Sequence, residues 1–110
     1  MSKSFAVLYT AKNDYLPGWS IQKHAHTYHQ LMLILSGEAE FVINDRRYSV
    51  HAGDCLFFKP GEAHEMKKIR RERVLMLDCK FIIQDPQLAR ELDAASDVCP
   101  SSDAFAVYLD

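Results

Sequence analysis

The stretch GWSIQKHAHTYHQLMLILSG, residues 18–37, places a histidine pair and a long apolar run between two glycines. Every residue from position 31 to position 35 is apolar, which is typical of a strand buried on both faces. His24 and His26 are separated by one residue, and on a strand such residues point to the same face about 7 Å apart. The stretch therefore predicts a buried β-strand preceded by two imidazoles that converge on one point.

Short apolar runs separated by turn residues continue on both sides of this stretch. Asn44-Asp45 is typical of a hairpin turn, and Pro60-Gly61 cannot continue a central strand. The pattern predicts roughly eight strands, over residues 5–9, 19–26, 30–35, 38–43, 48–50, 55–58, 64–68 and 74–83. Short strands at such close and regular spacing favour an all-β barrel or jelly roll over an α/β fold.

One or two short helices are expected after the strands. Asp85 before Pro86 indicates a helix start, because Asp caps a helix and Pro is favoured in its first turn. We therefore predict a helix over residues 86–95 that docks one face on the barrel. Residues 104–109 fit either a second helix or a final strand.

Length and composition exclude several classes of protein. A chain of 110 residues is a single domain, and its net charge of −2 argues against a free-standing nucleic-acid binder. The basic cluster over residues 67–73 is interpreted as a solvated turn rather than an anion site. No apolar run approaches the roughly 20 residues that cross a bilayer, so no membrane partner is expected. Three widely spaced cysteines favour a cytoplasmic location.

A third histidine joins the pair through two sequence motifs. His64 follows Pro60-Gly61, and in a barrel it can line one mouth with His24, His26 and Gln30. The spacing of the first motif, from Gly18 through the histidine pair to Gly37, resembles the first cupin motif. Residues 53–64 resemble the second. The resemblance covers residues 18–64 and implies a double-stranded β-helix, which is a jelly-roll barrel.

The cupin resemblance also implies a ligand set. In metal-binding cupins the positions of His24, His26, Gln30 and His64 hold a divalent metal such as Fe, Mn, Ni, Cu or Zn, ions that imidazole suits. This chain has Gln30 where the motif usually has Glu, so we expect weaker binding, with the amide oxygen as a neutral fourth ligand. The motif's proline is displaced by one position, and Lys68 stands where an Asn is expected. Alternatively, these side chains hydrogen-bond an organic ligand or each other.

Neighbouring aromatic and histidine residues complete the expectations for the site. Trp19 and Tyr28 adjoin the histidine pair and are expected at the pocket mouth, whereas most other large aromatics are expected in the core. His29 precedes Gln30 and should point to the opposite face, so we expect it at the surface or in an interface. His51 lies at a turn and is expected to be exposed.

A narrower resemblance concerns residues 30–41, 45–50, 77–81 and 85–88, which are similar to the N-terminal sensor domains of AraC-family transcriptional regulators. It implies a domain that binds a small-molecule effector, forms a homodimer and reaches DNA only through a separate C-terminal helix-turn-helix domain. Residues after Leu92 cannot supply those helices, so we expect this chain to be the N-terminal part of a longer regulator. The alternative is a stand-alone metal-dependent enzyme, an oxygenase, isomerase or lyase on a small oxygenated substrate.

Overall fold

Two antiparallel β-sheets enclose one core in the computed structural model, which describes residues 5–99. The elements in chain order are β1 Phe5–Tyr15, β2 Ile21–His24, β3 His29–Ser36, β4 Glu38–Ile43, β5 Arg46–His51, β6 Cys55–Phe58, β7 His64–Met66, β8 Val74–Ile83, α1 Pro86–Asp93 and β9 Val98–Cys99. One sheet has the strand order β1-β8-β3-β6-β9 and the other β2-β7-β4-β5. The all-β jelly-roll prediction is confirmed.

The core lies between the sheets because every second residue of each strand points inward. On β3, Met32 and Ile34 are buried, while Leu31 and Leu33 on the other face are only half-buried. Buried apolar residues of both sheets meet the β3 pair, among them Phe41, Ile43, Leu56, Phe58, Met66, Val74 and Met76. The prediction that this strand is buried on both faces is therefore wrong for its outer face.

Tight turns set the strand register. Asn44 and Asp45 both have positive φ, at 49° and 67°, and they join β4 to β5 as a two-residue hairpin loop. Gly37 joins β3 to β4 with φ +87°, and a Cβ there would lie 2.5 Å from the backbone oxygen of Arg73. Only glycine fits this crossing, because both the conformation and the close approach exclude a side chain.

The helix begins where the sequence indicates. The side chain of Asp85 accepts a hydrogen bond from the backbone N–H of Gln87, and Pro86 occupies the first turn. The helix ends at Asp93, two residues before the predicted end. β9 was not predicted and pairs with β6, and the predicted element over residues 104–109 lies outside the described residues. No helix within residues 5–99 is long and apolar enough to span a membrane.

Strands β1 and β2 differ most from the sequence prediction. β1 continues to Tyr15 instead of ending at residue 9, because its second half pairs with β8 as far as Val74. β2 is shorter than predicted and ends at His24, so His26 lies in the connection to β3. The histidine pair thus begins on a strand and continues in a loop.

Candidate functional site

Three histidines converge at one end of the β2–β7 pair. His24 and His64 are Cα partners across these strands, and His26 follows two residues later. One ring nitrogen from each of the three lies within 4.8 Å of the others. The ring centroid of His64 lies 4.4 Å from that of His24 and 4.9 Å from that of His26. The sequence prediction placed these three residues at one site, and the structure brings them together.

Backbone carbonyls fix the orientation of all three rings. The Nδ1 atoms of His24, His26 and His64 donate to the carbonyl oxygens of Gln22, Tyr28 and Glu62, over 2.8, 2.8 and 3.0 Å. A carbonyl can only accept, so each Nδ1 carries a proton and each Nε2 is the atom available to a ligand. Metal-binding histidines are commonly held in this way, with one ring nitrogen donating to a carbonyl or carboxylate.

His64 presents a buried lone pair to this cluster. It is 2% exposed, and its Nε2 has no hydrogen-bond partner in the described part of the chain. Burial lowers the pKa of His64 to about 4, and the nearby His24, His26 and Lys80 act in the same direction. The ring is therefore neutral at pH 7. An unpaired buried acceptor costs about 1–3 kcal/mol, and a metal ion would satisfy it.

Gln30 turns its amide oxygen toward the histidines. Its Nε2 donates to Asp78 Oδ1 over 2.8 Å, and its Oε1 lies 2.7 Å from Nε2 of His26, the ring nitrogen left without a proton when Nδ1 donates to Tyr28. Bound tetrahedrally at about 2.1 Å, the two atoms would lie about 3.4 Å apart, so a small outward movement of either side chain makes room for an ion. The donor set thus fits a metal with three imidazoles and one neutral oxygen.

Asp78 was missed by the sequence analysis. It is 5% exposed and stands inside the apolar run of β8, where a carboxylate is costly to bury without a partner. That placement was the available signal, but its partner Gln30 lies 48 positions away in the sequence. Phe58 was also assigned only to the core, yet its ring stacks on His64 with centroids 4.1 Å apart.

The two predicted aromatic site residues occupy different places. The ring of Tyr28 stacks on His26, with centroids 3.9 Å apart and planes 7° apart. Trp19 is 59% exposed, and its backbone carbonyl accepts from Ile69 at the end of β2 opposite to His24. The structure therefore brings Tyr28 to the histidines and does not bring Trp19 there.

His29 occupies the opposite face of β3, as predicted, but the expectation of a surface or interface position is wrong. It is 4% exposed and lies between the rings of Phe57 and Phe81, 5.6 and 5.5 Å away. Its Nε2 donates to Asp93 Oδ1 of α1 over 3.0 Å. The helix buries this histidine when it packs on the outer face of the sheet. His51 is exposed, as predicted.

A groove of about 1060 Å³ lies between β4, β5 and residues 67–72, and its lining does not include His24, His26 or His64. Buried Ile69 anchors the basic segment, while its charged neighbours are exposed. Arg47 and Lys67 pair with Glu40 and Glu65. The groove is thus a solvated surface of mixed charge, and the chemistry of the molecule is concentrated at the histidines.

Comparison with known proteins supports the fold and the motifs. A predicted oxalate decarboxylase from Thermotoga maritima is 27% identical, with TM-score 0.64, over 70% of this chain and 67% of that one. A cupin 2 conserved barrel domain protein from Salinispora arenicola is 22% identical, with TM-score 0.61, over 84% and 73%. An RmlC-like cupin from Shewanella frigidimarina is 18% identical, with TM-score 0.62, over 74% and 77%.

No curated protein matches the sequence. The family model of the cupin domain matches residues 13–79, which include all three histidines and Gln30. That match spans more than half of the chain, and this protein therefore belongs to the cupin domain family.

Proposed function

We propose that this cupin domain binds a small molecule at a divalent transition metal held by His24, His26 and His64, and that it acts as a sensor. One observation carries the proposal: the buried Nε2 lone pair of His64 has no partner within residues 5–99 and faces two further imidazoles. A purely structural histidine would cost stability in this position. A metal ligand gains a bond there.

The donor set defines the class of ion. Three imidazoles and the amide oxygen of Gln30 suit Fe, Mn, Ni, Cu or Zn, and geometry rather than affinity decides among them. When bound, the metal would act as a Lewis acid and a template for a ligand oxygen. Because Gln30 is neutral, we expect weaker binding than with a carboxylate. Phe58 and Tyr28 stack on the rings of His64 and His26.

Two neighbouring residues of β3 contact the histidine site and the helix. On β3, Gln30 points to the histidines, and its neighbour His29 points to the outer face and donates to Asp93 of α1. A ligand that repositions Gln30 acts on the residue next to the helix contact. For a signal, the ligand must favour one arrangement of α1 over another. This arrangement supports the effector-sensing role that the AraC-type resemblance implies. Homodimerisation, a cytoplasmic location and DNA contact through a separate domain stay predictions.

Hydrogen exchange tests the sensor proposal directly. Adding Zn²⁺ to the metal-free protein should slow amide exchange in β3 and change exchange in α1. In Asp93→Ala the response of β3 should remain while that of α1 is lost, because the link from His29 is removed. If Zn²⁺ protects β3 and leaves α1 of the wild-type protein unchanged, the domain binds metal but is not a sensor through this helix.

A metal-dependent enzyme is the second candidate. It is favoured by the 27% identity to a protein described as a predicted oxalate decarboxylase. The enzyme would be a lyase, and metal-loaded protein should release carbon dioxide from oxalate. His26→Ala should abolish that release. Absence of turnover with Mn²⁺, Fe²⁺, Ni²⁺, Cu²⁺ and Zn²⁺ in turn, each shown to be bound, would exclude this activity and leave the sensor.

A further inference from the structure

Lys80 belongs to the inner face of the five-stranded sheet. Inward positions alternate along β8, where Met76 and Asp78 are buried, and Lys80 is the next inward residue. Its Cα partners are Gln30 on β3 and Tyr9 on β1. The backbone of Lys80 therefore lies directly beside that of Gln30, the residue that faces the histidines.

The ammonium group of Lys80 is held beside the histidine cluster by aromatic rings. Its Nζ lies 4.8 Å from the centroid of the Tyr9 ring and 5.9 Å from that of Tyr28, which itself stacks on His26. Cations are attracted to the faces of such rings. The charge is close enough to contribute to the lowered pKa of His64.

Among the residues that the structure describes, no acidic side chain neutralises this cation directly. In the described ranges, no carboxylate oxygen lies within 4.0 Å of Lys80 Nζ, and the inward neighbour Asp78 is bonded to Gln30. A half-buried ammonium without a carboxylate partner is available to an anionic ligand. Lysine binds such a ligand as a compact charge with three donors.

We propose that Lys80 makes the histidine site selective for small organic carboxylates, with its ammonium as the pairing cation. This inference rests on the proposed ligand site and names the class of ligand. Imidazole and amide groups are neutral when they ligate an ion, so these ligands leave the charge of a divalent ion uncompensated. A divalent ion and the ammonium of Lys80 carry three positive charges together, and the carboxylate of Asp78 offsets only one of them. A carboxylate is therefore favoured over a neutral alcohol or amide, and the rings of Tyr9 and Tyr28 offer apolar contact to its carbon atoms.

Acetate and acetamide form a matched pair of probes, since they share size and shape and differ in charge. We expect Co²⁺-loaded protein, followed by its visible absorption spectrum, to bind acetate more tightly than acetamide. Lys80→Met keeps the length of the side chain and should weaken acetate binding about tenfold or more, the loss expected for a charge-assisted hydrogen bond. Lys80→Arg should retain the preference for acetate.

The control is Lys12→Met, the same change on the outer face of the sheet, where Lys12 is exposed and pairs with Leu77. It should leave both titrations unchanged. If Lys80→Met binds Co²⁺ and acetate as the wild-type protein does, the inference is overturned. Should Lys80→Met not fold, as judged by circular dichroism, Lys80→Gln takes its place.

Failure of the metal site is distinguished by a second measurement. If Co²⁺ does not bind the wild-type protein, the metal proposal fails. Acetate titration of the metal-free protein, followed by the ring nitrogen NMR signals of His64, still decides the role of Lys80. A shift that disappears in Lys80→Met supports carboxylate binding without metal. No shift in the wild-type protein contradicts it.

Discussion

The side-chain amide of Gln30 donates to Asp78 Oδ1 over 2.8 Å, and this bond decides which atom of Gln30 faces the histidines. The nitrogen is the donor end of the amide, and in this bond it turns to the carboxylate oxygen of Asp78. The oxygen is then left for His26 and for a metal ion. Asp78 is thus a positioning residue for the fourth donor atom of the site.

Exchanging the amide group and the carboxylate group between positions 30 and 78 tests this role. Asp78→Asn should lower the Zn²⁺ affinity about tenfold or more, the usual cost of losing a residue that orients a metal ligand. The double change Gln30→Glu with Asp78→Asn should bind Zn²⁺ more tightly than either single variant. In that double variant the Asn amide can donate to the new carboxylate, which carries a negative charge toward the ion. Calorimetric titration measures the Zn²⁺ affinity of the wild-type protein, of Asp78→Asn, of Gln30→Glu and of the double variant. Equal affinities for Asp78→Asn and the wild-type protein would contradict the positioning role.

His64 gives the metal-free protein a characteristic pH dependence. Its pKa is about 4 in the folded state, below the ordinary value of 6.5, mainly because of burial. Between these two values the unfolded chain binds a proton that the native state does not, so stability falls as the pH falls from 6.5 toward 4. The loss attributable to His64 reaches about 3 kcal/mol.

Urea unfolding at several pH values, in the presence of a chelator, checks this expectation. The variant His64→Leu removes the titrating ring and should show a flatter profile between pH 6.5 and 5 than the wild-type protein. Superimposable pH profiles for the two proteins would show that His64 is protonated as easily in the native state as in the unfolded chain.

Two glycines with positive φ should respond differently to alanine. Gly37→Ala places a Cβ 2.5 Å from the backbone oxygen of Arg73, whereas the Cβ of Gly61→Ala meets no heavy atom of residues 5–99 within 4 Å, its chain neighbours apart. Both variants carry the cost of a left-handed conformation, about 1–2 kcal/mol. Gly37→Ala must also move the backbone before β8, and we expect it to unfold at a clearly lower urea concentration than Gly61→Ala. Equal urea midpoints for the two variants would show that the backbone at Arg73 moves away from a Cβ at position 37 without cost.

The sequence was sufficient to predict eight of the nine described strands and the grouping of the three histidines, because alternation and spacing are local properties. It could not show which inward residues of distant strands become neighbours. Asp78 and Lys80 were therefore missed, although both stand out as charges within an apolar strand. Trp19 was expected at the site because it is near the histidines in sequence, but β2 runs from Trp19 toward His24, and its extended backbone separates them. β9 was missed because its two residues carry no periodic pattern.

Metal binding by the full chain tests the central claim most directly. Metal-free protein is titrated with Zn²⁺ in a calorimeter, together with His64→Leu and with His51→Gln as a surface histidine control. The account predicts saturable binding of one ion per chain to the wild-type protein and to His51→Gln, and none to His64→Leu. Absence of saturable binding to the wild-type protein, or equal binding by His64→Leu, would contradict a metal site at these histidines.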